Sequence, residues 1–125
     1  MKFYKYHGVG NDFVLINNRR GGIPEHEKSE LARKLCNRKF GVGGDGLLLI
    51  EKSKVADARM RIFNPDGSEA EMCGNGIRCF AKHVYEKRIA RKRKISIETL
   101  AGIKKVKLAE SGGVTYARVE LGKPL

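Results

Sequence analysis

The sequence predicts an α+β domain with mostly antiparallel strands and two helices. Three observations predict it. Short runs of alternating polar and apolar residues recur along the chain and are most regular in its last third. Two longer runs instead repeat their apolar residues at helical spacing. Between the apolar runs lie turns that hold many of the 15 glycines. A chain of 125 residues is one domain of ordinary size and can bury a core without disulfides or metals.

The elements follow in order. Phe3 to His7 reads as a first strand and Phe13 to Asn17 as a second, with Gly8-Val9-Gly10-Asn11-Asp12 turning between them. Glu25 to Asn37 reads as a helix, because Pro24 stands near its start and Leu31/Leu35 and Ala32/Cys36 sit at i, i+4 spacing. The glycine-rich loop Gly41 to Gly46 ends it, and Leu47 to Glu51 reads as a buried strand. Ala58, Met60 and Ile62 alternate with Arg59, Arg61 and Phe63 in another strand. Asn64-Pro65-Asp66-Gly67 is a turn, since proline fixes φ and glycine permits a positive one. Ser68 to Met72 can extend again. A second helix opens at Gly74 or Asn75, with Ile77, Phe80, Ala81, Val84 and Tyr85 on one wide apolar face. Strands are then expected at Ile95 to Thr99, Ile103 to Ala109 and Val114 to Leu121, with turns at Ala101-Gly102 and Ser111-Gly112-Gly113.

Composition excludes several classes. The three cysteines, Cys36, Cys73 and Cys79, are odd in number and lack C-x-x-C spacing, so neither a disulfide framework nor a metal site is expected. No run reaches the ~18 apolar residues of a membrane helix, and the start lacks a signal-peptide core. The reading is a cytoplasmic chain with reduced thiols. Net charge is +12. The densest basic cluster, Lys87 to Lys94, follows a helix end, where cations complement the dipole and are otherwise solvated. No stacking aromatics are interleaved there, so nucleic acid is not the expected partner.

Chemistry concentrates in Glu71-Met72-Cys73-Gly74-Asn75-Gly76-Ile77-Arg78-Cys79. A strand delivers Cys73 to a helix start, where amides unbonded by the helix and the positive end of the dipole favour a thiolate. Gly74 and Gly76 leave the backbone bare, so a substrate carboxylate can come close to those amides. The same pattern also describes an inert cysteine in a tight glycine turn. Cys36 and Cys79 lie within helices and read as small buried hydrophobes. Asn11 and Asn64 end strands in turns, where asparagine serves turn geometry or grips both an ammonium and a carboxylate. The 41–46 loop lacks the Lys-Ser/Thr of a P-loop and opens into a strand, which argues against nucleotide binding.

Four motifs then stand in one order: His7-Gly8-Val9-Gly10-Asn11-Asp12-Phe13, Phe40-Gly41-Val42-Gly43-Gly44-Asp45-Gly46, Arg61 to Ser68, and Met72 to Cys79. Together they resemble the successive motifs of the diaminopimelate epimerase family, across essentially the whole chain. The resemblance implies a half-barrel in which mostly antiparallel strands curl around a central helix beginning near Gly74. It implies an isomerase that interconverts LL- and meso-diaminopimelate, in lysine and cell-wall precursor synthesis, with no pyridoxal, other cofactor or metal. Cys73 matches one of two catalytic cysteines. Asn11, Asn64, Gly74 and Asn75 match positions that hold the substrate's amino and carboxylate groups. Some members carry Gln where this chain has Gly46, so no side-chain contact is expected from that loop.

Proton transfer on two faces of an α-carbon needs two groups, and here only one cysteine matches. Residues 1–121 are read as one epimerase-like domain and 122–125 as the start of a crossover to a second. The expected partners are a small amino-acid substrate and either a second copy of the chain or a complementary half. Two other readings stand beside this one: an inactive half-domain, and a basic module that binds polyanions.

Overall fold

A computed structural model describes residues 2–8 and 10–120. The expected crossover at 122–125, and Leu121 at the end of the last expected strand, lie outside the described residues. Strands β1 (Tyr4–Gly8), β2 (Asn11–Asn17), β3 (Gly46–Glu51), β4 (Ala58–Phe63), β5 (Glu69–Ala70), β6 (Lys94–Thr99), β7 (Gly102–Ser111) and β8 (Val114–Glu120) form one sheet. Its order is β1-β2-β3-β4-β6-β7-β8, with β5 paired to β4 off this path. Helices α1 (Lys28–Cys36) and α2 (Gly74–Glu86) complete the domain.

Most neighbouring strands are antiparallel, but β2/β3 and β4/β6 run parallel. A parallel pair needs a crossover, and a helix usually fills it. Here α1 connects β2 to β3, and α2 lies between β4 and β6. The two helices land on opposite faces of the sheet. Leu15, Leu48, Ile50, Met60 and Ile62 pack with α2, whereas Val14, Ile16, Leu47, Leu49 and Phe63 pack with Ala32 and Cys36 of α1. This accounts for the unbroken apolar run of β3, because a strand buried on both faces has no solvent side to alternate with.

Helix α2 touches β1 at one sheet edge and β8 at the other, as well as β2, β3, β4 and β7. The sheet therefore curls around it as a half-barrel. Ile77, Phe80, Ala81 and Val84 are wholly buried, as their spacing requires, and Tyr85 is half-buried. Cys79 and His83 are buried as well. A curled sheet covers more of a helix than a flat one, so the buried stripe is wider than the apolar residues alone mark out.

The first helix differs from its sequence expectation. Glu25–Glu27 form a 3-10 turn and α1 runs only from Lys28 to Cys36. Its buried stripe is Lys28, Ala32 and Cys36, with Leu31 and Leu35 half-buried beside it. A buried lysine requires a partner, and Lys28 Nζ donates to Glu51 at 2.6 Å and to Glu25 at 3.0 Å. Arg61 lies on the same outer face and donates to Glu69 through Nε at 2.9 Å and Nη2 at 2.8 Å, and to Glu25. These ion pairs hold the 3-10 turn and α1 against β3, β4 and β5. The stretch expected to extend from Ser68 to Met72 keeps strand pairing only at Glu69–Ala70, opposite Phe63 and Ile62.

Candidate functional site

Cys73 is the N-cap of α2, in extended backbone at φ −144° and ψ 119°, and its carbonyl accepts the first helical bond from Ile77 N–H at 2.9 Å. The side chain makes no capping hydrogen bond, so the sulfur covers none of the first-turn amides. Cys73 is half-buried and packs at the border of the core, while Cys36 and Cys79 are buried. Burial pushes the thiols of Cys36 and Cys79 above their usual range. The three cysteines thus separate as their sequence contexts suggest: two core hydrophobes and one thiol at an edge.

The two glycines after Cys73 differ in their surroundings. Gly74 is exposed, and a methyl placed on it meets nothing within 4 Å. Gly76 is buried, and a methyl there would lie 3.6 Å from Cys73 Sγ and 3.5 Å from Leu48 Cδ2. One glycine leaves the approach to the helix start open. The other keeps the space beside the sulfur free.

Asn11 and Asn75 meet directly, although 64 residues separate them. Asn75 Nδ2 donates to Asn11 Oδ1 at 2.8 Å. This bond ties the start of β2 to the first turn of α2. Arg78, one turn into the helix, donates to Asn75 Oδ1 at 3.3 Å. The Asn75 amide is therefore held at both ends, with an exposed guanidinium beside it.

Asn64 reaches the same end of the sheet by register. Leu47 pairs with Phe63, and Gly46 pairs with Phe13. Asn64, one residue beyond Phe63, accordingly stands at the level of Gly46 and the start of β2. Its own amide donates to Ser68 Oγ at 3.0 Å inside the 64–68 turn, and Gly67 N–H donates to its carbonyl at 2.9 Å. The structure joins Asn11, Cys73, Gly74 and Asn75 in one cluster. Asn64 is brought to the same sheet end, with its side chain engaged in the turn.

Sequence reasoning missed the clamp beneath Asn11. Asp12 N–H donates to Asp45 Oδ2 at 2.7 Å, and Asp45 N–H donates to the Asp12 carbonyl at 2.7 Å. Arg38 bridges both carboxylates, to Asp45 at 3.2 Å and Asp12 at 3.5 Å, and His7 contacts Asp12. The Asp12 amide, helped by Arg38 and the Asn11 side chain, holds the Asp45 carboxyl below the usual carboxylate range. The glycine-rich loop thus serves as a bracket for the start of β2, consistent with its lack of a phosphate-binding signature. Arg78 was also missed. The only signal for either was position, since both lie inside motifs whose glycines and asparagines drew attention first.

A cluster of this kind can do limited chemistry: one thiol at a helix start, bare glycine backbone beside it, and an asparagine pair that can grip an amino acid's polar groups. Comparison with known proteins shows the family. The family model described as diaminopimelate epimerase matches residues 3–125. The chain belongs to the diaminopimelate epimerase family. It is 55% identical over 126 aligned residues to the diaminopimelate epimerase of Caldanaerobacter subterraneus, covering 100% of this chain and 44% of that protein. It is 54% identical to that of Moorella thermoacetica, covering 99% of this chain and 44% of the relative. The chain thus spans less than half the length of the curated relatives it matches.

Solved structures agree on the fold. A phenazine biosynthesis protein of the PhzF family from Bacillus anthracis superposes with a TM-score of 0.77 at 27% identity, over 95% of this chain and 40% of that one. A hydroxyproline epimerase from Agrobacterium vitis, solved with bound trans-4-hydroxy-L-proline, superposes at 0.69 and 21% identity, over 89% of this chain and 38% of that one. The half-barrel around a central helix inferred from the motifs is the fold of both neighbours. No helix among the described residues is long and apolar enough to cross a membrane.

Proposed function

We propose that this chain is the amino-terminal catalytic half of a cytoplasmic amino-acid epimerase that interconverts LL- and meso-diaminopimelate, with Cys73 acting on one face of the α-carbon. The observation that carries the reading is the thiol at the start of α2, beside bare glycine backbone and the Asn11–Asn75 pair. Family membership supports the substrate and the reaction.

In this reading Cys73, as thiolate, removes the α-proton, and the electron pair left on carbon spreads into the substrate carboxylate. Amides of the first turn of α2 stabilise the negative charge that develops there. Asn11, Asn64, Gly74 and Asn75 orient the amino and carboxylate groups. A thiol on the opposite face returns a proton to carbon and becomes the thiolate. Proton and charge therefore balance between two sulfurs, and the reading assigns no role to a metal or a pyridoxal group. Cys36 and Cys79 are buried in helices and cannot be the second sulfur. That group comes from a complementary half or from Cys73 of a second copy.

The test is α-proton exchange in heavy water with LL-diaminopimelate, alongside sedimentation to define the assembly present. Exchange and epimerisation are expected only in an assembly that brings two thiols together, and both should vanish in Cys73→Ser. Exchange that survives Cys73→Ser overturns the reading. So does the lack of exchange in both a homodimer and a complex with the complementary half, each with Cys73 reduced.

A further inference from the structure

A cavity of about 590 Å³ opens at the end of α2 remote from Cys73, between the start of β1 and the loop after β2. Its rim carries Lys2, Arg19, Arg20 and Lys87, and no carboxylate is among its described lining residues. Only some of the basic residues in this chain find acids. Lys28, Arg61, Lys92 and Lys94 all pair with a carboxylate within 3.2 Å. Among the described residues none of the four rim cations has such a partner.

Two of the cations are nevertheless held in place. Arg19 Nε donates to Asn17 Oδ1 at 3.1 Å, which lays the side chain along the rim. The Lys87 ammonium stands 4.6 Å above the ring of Tyr4. Tyr4 in turn packs on His83 at 4.7 Å between ring centroids, and the Tyr6 hydroxyl shares a 2.9 Å hydrogen bond with His83 Nδ1. Below the rim the wall is apolar and aromatic, formed by Tyr4, Ile16, Ile23 and Ile89. At the end of α2 the carbonyls of His83, Val84 and Tyr85 accept from the amides of Lys87, Arg88, Ile89 and Ala90.

A cationic rim without acids above an apolar floor selects for a small anion with a hydrophobic body. The like charges repel one another when the cavity is empty, and a dianion among them removes that repulsion. The floor adds burial of the body. We propose that this cavity is a second small-molecule site, distinct from the Cys73 cluster, for an organic phosphate monoester with an aromatic or aliphatic body. The site is independent of the epimerase reading, since it shares no residue with that cluster.

The test titrates the ¹⁵N-labelled chain with phenyl phosphate, and in parallel with inorganic phosphate and with phenol. Saturable amide shifts centred on Tyr4, Gly22, Lys87 and Ile89 are expected with phenyl phosphate, with each of the other probes binding about tenfold more weakly. The double substitution Arg20→Ser/Lys87→Ser should weaken binding about tenfold, while Arg91→Ser/Arg93→Ser, which removes the same charge elsewhere, should leave it unchanged. All four residues are exposed, so neither variant disturbs the core. Equal weakening by the two variants would reduce the effect to net charge and overturn the site. Shifts scattered over every basic loop, or inorganic phosphate binding as well as phenyl phosphate, would overturn it too.

Discussion

Cys73 differs from Cys36 and Cys79 in environment, not in chemistry: it caps a helix at the border of the core, and the others are packed inside it. Iodoacetamide should therefore modify Cys73 first in the native chain, with Cys36 and Cys79 reacting only after unfolding. Peptide mass mapping over time checks the order, and early labelling of Cys36 would contradict it. His83 makes a second residue-scale prediction. Burial, with a smaller contribution from Lys87, pushes its imidazole down to about 4. The unfolded chain then takes up a proton below the usual histidine value of about 6.5 while the folded chain does not. Stability is complete above that value and declines as pH falls toward 4, by about 3 kcal/mol. Denaturant melts across this range should show the slope, and His83→Phe should flatten it.

The element that matters most is the first turn of α2, where sequence and packing make opposite demands. Glycine is a poor helix former, so Gly76→Ala should stabilise α2 by up to about 1 kcal/mol. The added methyl makes ordinary contacts with Leu48 and with the Cys73 sulfur, so the core can accept it. The cost falls on the thiol: alkylation of Cys73 by a bulky reagent should slow by several-fold in Gly76→Ala and little in Gly74→Ala, whose methyl points into open space. Equal rates in both variants would show that Gly76 does not keep space for a reagent. Gly41 is a different case. A methyl there would sit 2.0 Å from the Lys34 carbonyl, so its glycine answers to backbone packing behind α1 and not to ligand access. The sequence marks all of these glycines alike, and only their neighbours distinguish them.

At the scale of the molecule, charge and curvature dominate. A net charge of +12 on 125 residues repels itself in the compact state, while the ion pairs around Arg61 and Lys28 are shielded from solvent. Added salt should then screen the repulsion more than it weakens those pairs, and the melting temperature should rise between low and moderate ionic strength. A fall in melting temperature over that range would mean that exposed ion pairs outweigh the net repulsion.

Much of this architecture was legible in the chain. Alternation located most strands and an unbroken apolar run located β3, with boundaries within a few residues, and the i, i+3, i+4 pattern from Ile77 to Tyr85 located the central helix. The motif from Met72 to Cys79 marked the thiol segment, and four motifs in one order marked the family, because turn glycines and a helix start leave local marks. What the chain did not reveal was partnership. Nothing local in the chain marks Lys28 as the partner of Glu51, or His83 as a residue that the sheet covers. The clamp between Asp12 and Asp45, and the bond from Asn75 to Asn11, join segments that no local pattern connects. By itself, then, the sequence determined the elements, the candidate sulfur and the family, since those depend on near neighbours. The tertiary structure alone decided which faces are buried, which charges are paired and which cations stay unmatched around a cavity, because these depend on a curled sheet bringing distant residues together.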